Sequence, residues 1–452
     1  MSEYRDPKYL NDEDQPTDRV RCPIHGFIRY STNERKIIDT EYFQRLRFIR
    51  QLGLTEYAYP GANHTRFEHS LGVMEMASAM FDSLAAKKGE TMEAELSGLS
   101  WFAKNPLAKA RQIVRLAALL HDTGHAPFSH AAEGAFHKEG HEALSIKIIR
   151  EKELLGKVID NTWGEGTANH VGLILDKDET LKDELGILAP QLKFLQEIIS
   201  GEIDADRTDY LRRDAYHCGV EYGRFDHKRL IECLTLRPIP GVLEIAVTRD
   251  GIHTVEALIL ARFQMNAQVY FHRIRRIYDH FLIEYHKALY QDEELRDQDV
   301  LKLNDMRMLN QLILDSSSGE AGGRFDLARR IIGRNHPRLI YETGDDADSR
   351  TARLKGDLAN EIKKKYTDVY VHYDDMGPKP VTIHKIYVSG SEEGGVELMV
   401  IGRNNAERLV GDESKILSRI PKSFRCCRIF ADIKDAEHRK ELEDFINQRS
   451  TT

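Results

Sequence analysis

No apolar run in the chain approaches the roughly 20 residues that a membrane-spanning helix needs. Cysteine is sparse: Cys22, Cys218, Cys233, Cys426 and Cys427 are an odd set with no CxxC spacing. That pattern excludes a disulfide framework and a zinc ribbon, and points to a reducing compartment. A basic surplus is missing too. Lys and Arg number 65 against 73 Asp and Glu, a net charge of −8, so the chain is not a general binder of polyanions, although a local basic pocket stays open. The first residues, MSEYRDPKYLNDEDQPTDR, lack the apolar stretch of a secretory signal. Cytoplasm is the expected location. There is no internal repeat. With 41% hydrophobic and 31% charged residues over 452 positions, a disordered or collagen-like chain is excluded.

What is present is mostly helical patterning. In RQIVRLAALLHD, Ile113, Leu116, Ala117 and Leu120 recur at i, i+3, i+4, i+7, which predicts an amphipathic helix ending near His121. In HSLGVMEMASAMFDSL, Val73, Ala77, Met80, Phe81 and Leu84 share a face. The run VEALILARFQMNAQVYFHRIRRIYDHFLIEYHKAL has no Gly or Pro and reads as one long helix. Residues 239–253 alternate and carry turn residues, predicting a β-hairpin. SSSGEAGGRF (316–325) reads as a flexible connector. From Val369 onward, VYVHY, VTIHKIYVS, VELMVIG and CCRIFAD are β-rich, and a last helix follows. The expected fold is mainly α with a small C-terminal α+β appendage. Expected boundaries are a leader at 1–18, a main domain at 19–300, a helical or linker region at 301–365 and a C-terminal subdomain at 366–452.

The densest chemistry lies at 121–142, HDTGHAPFSHAAEGAFHKEGHE. His121, His125, His130, His137 and His141 fall there with Asp122, Glu133 and Glu142, while the whole chain has only 19 histidines. An isolated His-Asp pair is usually a helix cap. A cluster ended by a Gly-x-x-Pro turn favours metal ligation, because imidazole and carboxylate suit Mn, Fe, Zn or Mg. His69 shares the buried face with Val73 and Ala77, a place where most histidines are plain core residues. Asp206 lies in EIDADRTDYLRRD, where acids alternate with Arg207, Arg212 and Arg213. That run suits either a salt-bridged surface helix or a buried metal ligand. Arg262, Asn266, Tyr270 and Arg273, spaced 4, 4 and 3, would form one stripe suited to a phosphorylated ligand with a planar base.

The order His69, His121-Asp122, Asp206 resembles the H…HD…D signature of the HD-domain metal phosphohydrolases. CPIHGFIRY, IIDTEYFQRLRFIRQLGLTEYAYPGANHTRFEHSLGV, HDTGHAPFSH and IDADRTDYLRRDAYHCGV resemble the SAM-and-HD-domain type of deoxynucleoside triphosphate triphosphohydrolase, over roughly residues 18–290. The resemblance implies an HD-domain helical core. It implies that His69, His121, Asp122 and Asp206 hold a divalent metal (Mn, Mg, Fe, Co or Zn). His130, backed by Glu133, would protonate the leaving 5′-oxygen, and His125 and His141 would line the triphosphate. Gln51 and Leu52 would lie near the sugar. Arg66 would touch phosphate, and Arg207, Tyr210, Asp214, Arg262, Asn266 and Tyr270 would complete the nucleotide pocket. It also implies a dNTP or related nucleotide substrate, a nucleotide effector and a homodimer or homotetramer.

Two positions depart from the family. Cys22 stands where regulated eukaryotic members carry an Asp that recognises an activating guanine nucleotide, and a thiol cannot accept a carboxylate's paired hydrogen bonds. Asn266 stands where the family has a pocket histidine. The same ligand set also serves nucleotidases and phosphodiesterases acting on other nucleotides or short oligonucleotides, and a non-catalytic nucleotide sensor would retain the pocket.

Overall fold

The computed structural model describes residues 10, 15–131, 140–177, 186, 188–290, 295–377, 379–390, 394–433 and 435–450. The first strands are an antiparallel hairpin, β1 (Asp18–Cys22) and β2 (Gly26–Tyr30). Ser31 then caps α1 (Thr32–Ile38). Its hydroxyl accepts from the Glu34 amide, while the Glu34 carboxylate accepts from the Ser31 amide. Glu34 is buried and also takes the Arg115 guanidinium, which ties α1 to the helical core.

That core is built around α2 (Arg66–Ser97) and α3 (Pro106–Leu120), which pack along each other as their apolar periodicity requires. Next come α4 (Gly140–Arg150), α5 (Gly156–Trp163), α6 (Thr167–Leu175), α7 (Lys193–Ser200), α8 (Ala205–Cys218) and α9 (His227–Cys233). Helix α8 lies against α2. Gly72 makes this possible, because a Cβ there would stand 2.2 Å from Asp209 Oδ1.

The hairpin is present, but as β3 (Leu234–Ile239) and β4 (Val242–Thr248), turning at Pro240 and Gly241. The expected long helix is divided. It runs as α10 (Ile252–Met265), loosens into a π turn over Asn266–Tyr270, breaks at Phe271 and His272, and resumes as α11 (Arg273–Tyr290). Asn266 Nδ2 donates to the Arg262 carbonyl at 2.8 Å, sharing it with the Asn266 amide where the helix loosens. Arg273 therefore falls beyond the break, and the stripe of four is a stripe of three.

The chain continues through α12 (Asp305–Ser317), α13 (Gly323–Ile332), β5 (Arg338–Glu342), α14 (Ser349–Lys365), β6 (Val371–Asp374), β7 (Met399–Ile401), β8 (Glu407–Leu409), β9 (Arg428–Ala431) and α15 (Ala436–Ser450). Strand order is β5-β9-β6 in one sheet and β3-β4-β7-β8 in another. Both pairings cross the boundary expected near residue 366. β5 precedes it, and β4 belongs to the helical core yet pairs in parallel with β7. Among the described residues no helix is long and apolar enough to cross a membrane.

Candidate metal centre and adjoining cavity

Three elements carry the candidate ligands. His69 sits in the first turns of α2, His121 and Asp122 end α3, and Asp206 is in the first turn of α8, whose start Asp204 caps by accepting from the Arg207 amide. His69 Nε2 lies 3.1 Å from Asp206 Oδ1 and 3.5 Å from Asp122 Oδ2. His121 Nε2 lies 3.3 Å from Asp122 Oδ1 and 3.6 Å from Asp206 Oδ1, and it is buried with no hydrogen-bond partner. The opposite nitrogens are engaged. His69 Nδ1 is 2.8 Å from Asp209 Oδ2, and His121 Nδ1 is 2.7 Å from the Ala118 carbonyl. Both rings are thereby turned so that Nε2 faces the carboxylates, as metal-binding imidazoles are held. An orphaned buried nitrogen, with His69, His121 and Asp206 ligand atoms within 4.8 Å of one another, fits a divalent ion.

Charge in this knot is dense. Burial works against ionising His69, but hydrogen bonds to Asp206 and Asp209 and the Asp122 charge outweigh it and lift its pKa to about 10. Burial would raise Asp122, yet the Arg66 guanidinium 2.5 Å away and the neighbouring imidazoles hold it well below the usual carboxylate range. Asp204 is different. Burial pushes it up to about 7 despite Arg207 at 2.6 Å.

A cavity of about 240 Å³ opens over this group. Gln51, Arg66, His130, His141, Arg207, Tyr210 and Arg262 line it with His69, His121, Asp122 and Asp206. The structure thus brings the four candidate ligands together with seven other expected site residues. Arg66 also donates to Ser129, Arg207 to the Gly201 carbonyl, and Arg262 to the Thr382 carbonyl of the C-terminal part. His130 is exposed.

Five expected residues stand back from the wall. Leu52 is buried in the main core, where an apolar side chain gains more from packing than from facing a polar cavity. His125 is fully buried behind the wall, its ring stacked on His141 at 3.6 Å between centroids. Asp214 accepts from Tyr270 Oη at 2.7 Å and lies 2.7 Å from His64 Nε2. That buried knot holds both Asp214 and Tyr270 behind Tyr210, whose ring is 6.0 Å from Tyr270. Asn266 is buried on the π turn, spent on the Arg262 carbonyl. Glu133 and His137 lie outside the described residues.

The sequence reading missed the groups that support the ligands. Asp209 is fully buried and binds Arg213 Nε at 2.8 Å and Nη2 at 2.9 Å, besides His69 and His25. Its i, i+4 relation to Arg213 was visible, but that spacing is equally common on exposed helices. Arg213 Nη2 also reaches Cys22 Sγ at 3.5 Å, so the thiol faces the ligand-supporting pair. Asp305 accepts from the Phe128 amide at 2.8 Å and the Arg50 amide at 3.0 Å, pinning the turn after α3 to the Gln51 segment. Phe128 and Ser129 have φ of 60° and 56°, a costly pair that these bonds hold in place.

Known proteins resemble the segments that carry these residues. Residues 66–214 match the model of the HD domain, and residues 225–368 match the HD associated region. An uncharacterized protein of Methanocaldococcus jannaschii is 34% identical over 293 residues, covering 65% of this chain and 54% of that one. The uncharacterized protein YwfO of Bacillus subtilis is 37% identical over 277 residues, covering 61% and 56%. Deoxynucleoside triphosphate triphosphohydrolase SAMHD1 of Homo sapiens is 31% identical over 286 residues, covering 58% and 42%. The chain thus spans about half the length of these relatives. A crystal structure of a hypothetical protein from Aquifex aeolicus superposes with a TM-score of 0.72 at 27% identity, covering 95% of this chain and 99% of that one. A phosphohydrolase from Bacteroides thetaiotaomicron shares the fold, with a TM-score of 0.65 at 23% identity over 91% and 99%.

Proposed function

We propose, for a chain that belongs to the HD-domain phosphohydrolases, that it hydrolyses deoxynucleoside triphosphates to deoxynucleoside and inorganic triphosphate. The observation that carries this reading is the cavity itself. Arg66, Arg207 and Arg262 line one pocket with the candidate ligands His69, His121, Asp122 and Asp206. A triphosphate needs such cationic neutralisation before any nucleophile can approach.

A divalent ion held by those four residues would polarise the α-phosphate and lower the pKa of bound water. The chain's own groups then have separate tasks. The three arginines disperse the remaining phosphate charge, and His141 lines the triphosphate with them. Tyr210 and Gln51 supply a ring and an amide for base and sugar. Water oxygen joins the α-phosphorus and releases a proton to solvent, the bond from phosphorus to the 5′-oxygen breaks with its electron pair going to that oxygen, and His130 gives that oxygen its proton, later regaining one from solvent. His130 is the donor because it reaches the cavity and an imidazolium can pass a proton to a leaving oxygen. Glu133 would orient it. Family likeness supports assembly into a homodimer or homotetramer.

Product analysis tests the reading. Enzyme with Mn²⁺ is incubated with dNTPs, NTPs and short oligonucleotides, and products are separated. Nucleoside plus triphosphate is the expected result. Mono- or diphosphates would make it a different nucleotide hydrolase, and absence of turnover on the whole panel would leave a nucleotide sensor.

A further inference from the structure

The cavity over the candidate ligands does not end at Arg207. Lys177, Ser200 and Arg207 line it and also line a second, larger chamber of about 650 Å³. No candidate metal ligand reaches that chamber, and neither do Gln51 and Tyr210, the groups assigned to sugar and base. It opens instead from Arg207, one of the three arginines assigned to the phosphates. Size argues for joint use. The first cavity, at about 240 Å³, is smaller than the roughly 300–1,000 Å³ of ordinary ligand pockets, whereas the second falls inside that range.

Three parts of the chain build the chamber: α7 with the loop after it, the β3–β4 hairpin, and residues 385 and 395–398 of the C-terminal part. Two carboxylates tie these parts together. Glu197 accepts from the Ile245 amide at 3.0 Å, and Glu202 from the Lys385 amide at 3.1 Å. Glu244 is paired with Arg237 at 3.3 Å. With these three acids engaged, Glu397 remains, against Lys193 and Lys385. Both lysines are exposed and, among the described residues, in no ion pair. Lys193 starts α7 and Lys385 belongs to the C-terminal part, so the two cations come from different walls. An unpaired ammonium is a ready partner for phosphate, and a carboxylate accepts from a sugar hydroxyl. Ile203, Ile245 and Leu398 add an apolar surface on which a flat base can lie.

We infer that this chamber holds a second nucleotide joined through the phosphate chain, which makes dinucleoside polyphosphates substrates of the same site. The inference rests on the proposed hydrolysis at the α-phosphate and extends it. A pocket shaped for a free triphosphate would enclose the last phosphate, whereas this one continues past Arg207 to Lys193 and Lys385. The chemical step is unchanged. With a dinucleoside tetraphosphate, water oxygen joins the α-phosphorus at the candidate ligands and its proton goes to solvent. The bond to the 5′-oxygen breaks with its electron pair going to that oxygen, which takes a proton. One deoxynucleoside and one nucleoside 5′-tetraphosphate result, and water is the only co-reactant.

The test gives Mn²⁺-loaded enzyme dATP and di(deoxyadenosine) tetraphosphate in parallel. The dinucleotide should yield deoxyadenosine and deoxyadenosine 5′-tetraphosphate, with a KM no higher than that for dATP. Lys193→Glu/Lys385→Glu then changes two exposed residues that line only the second chamber. One exposed ion pair changes affinity by up to about fivefold, and here two attractions become two repulsions. KM for the dinucleotide should therefore rise at least about tenfold, while dATP kinetics stay within about twofold of wild type. Turnover of dATP alone, cleavage of the dinucleotide between two phosphates, or a double variant that moves both substrates equally or neither overturns the inference. If neither compound is turned over, calorimetry with Ca²⁺ in place of Mn²⁺ decides. Dinucleotide binding weakened about tenfold in the double variant keeps the chamber and sinks only the proposed hydrolysis, and equal binding sinks the chamber.

Discussion

Asp209→Asn separates support of the ligands from support of the fold. Asp209 takes two bonds from Arg213 and one contact each from His69 and His25, all between 2.5 and 2.9 Å and fully buried. Asn preserves the shape but offers one acceptor oxygen and no charge. A buried guanidinium deprived of its counter-charge costs about 3–5 kcal/mol. Glu68, 3.1 Å from Arg213 Nη1, remains and places the loss toward the lower end. The second effect is on the ion. His69 loses the carboxylate that fixes its orientation, which typically weakens metal affinity by about 10–100-fold. At 1.4 kcal/mol per decade that is about 1.4–2.8 kcal/mol. Urea unfolding of the apo protein reads the first effect, and competition with a chromogenic chelator reads the second. Adding Arg213→Met removes the stranded charge, so the double variant should regain most of the stability and none of the metal affinity. If Asp209→Asn binds metal within about threefold of wild type, the orienting role is refuted. If its apo form unfolds at the wild-type urea concentration, the buried-pair argument fails.

Four further outcomes are expected. His130→Ala should bind dNTP and metal nearly normally while kcat falls about 10²–10⁴-fold, and a substrate with sulfur in place of the 5′-oxygen should recover part of the rate; unchanged kcat removes His130 from the mechanism. EDTA should abolish turnover and Mn²⁺, Co²⁺ or Fe²⁺ restore it, while folded Asp206→Ala should lose its ion from the four-ligand site; full activity in that variant contradicts the ligand set. Burial raises Asp305 to about 6, so between about pH 4 and 6 the folded chain keeps a proton that the unfolded chain has released, and stability contributed there falls as pH rises, by roughly 3 kcal/mol at most for a two-unit shift; Asp305→Asn should lack that slope, and parallel pH curves would reject it. GTP alone should not raise the initial rate or change oligomer size, because Cys22 offers a thiol where a carboxylate is needed; a large GTP-dependent rise would reverse that reading.

The candidate ligands were reached through the resemblance. On residue type alone, a histidine on the apolar face of α2 reads as core and a lone His-Asp pair ending α3 as a helix cap, and the H…HD…D order is what singled them out. Their support was not legible. Asp209 and Arg213 look like any i, i+4 pair until α2 covers them, and only Gly72, whose missing Cβ lets α2 approach, hinted at that contact. The helix break at 271–272 escaped notice because no Gly or Pro marks it. Leu52 and Asp214 were assigned from position in a motif, Asn266 and Tyr270 from helical spacing as well, and packing set each of them behind the wall. The hairpin was read about five residues late because Leu234 and Leu236, which begin the inward alternation, follow a helix directly.

The parallel pairing of Ala246–Thr248 with Met399–Ile401 has a bearing on how the molecule comes into being. As the chain emerges from a ribosome, β4 is made about 150 residues before the strand that covers its flank. At synthesis rates of roughly 5–20 residues per second, that edge stays bare for about 8–30 seconds. An uncovered strand edge invites pairing with a neighbouring nascent chain. Arg237, Glu244 and Thr248, polar side chains along this hairpin, are suited to discourage such pairing while β7 is awaited. Thr382, whose carbonyl accepts from Arg262, is likewise made 120 residues after its partner. Every residue lining the cavity over the candidate ligands lies at or before Arg262, so that cavity's wall is synthesised before β7 exists, and the later chain adds to it only its hold on the Arg262 guanidinium.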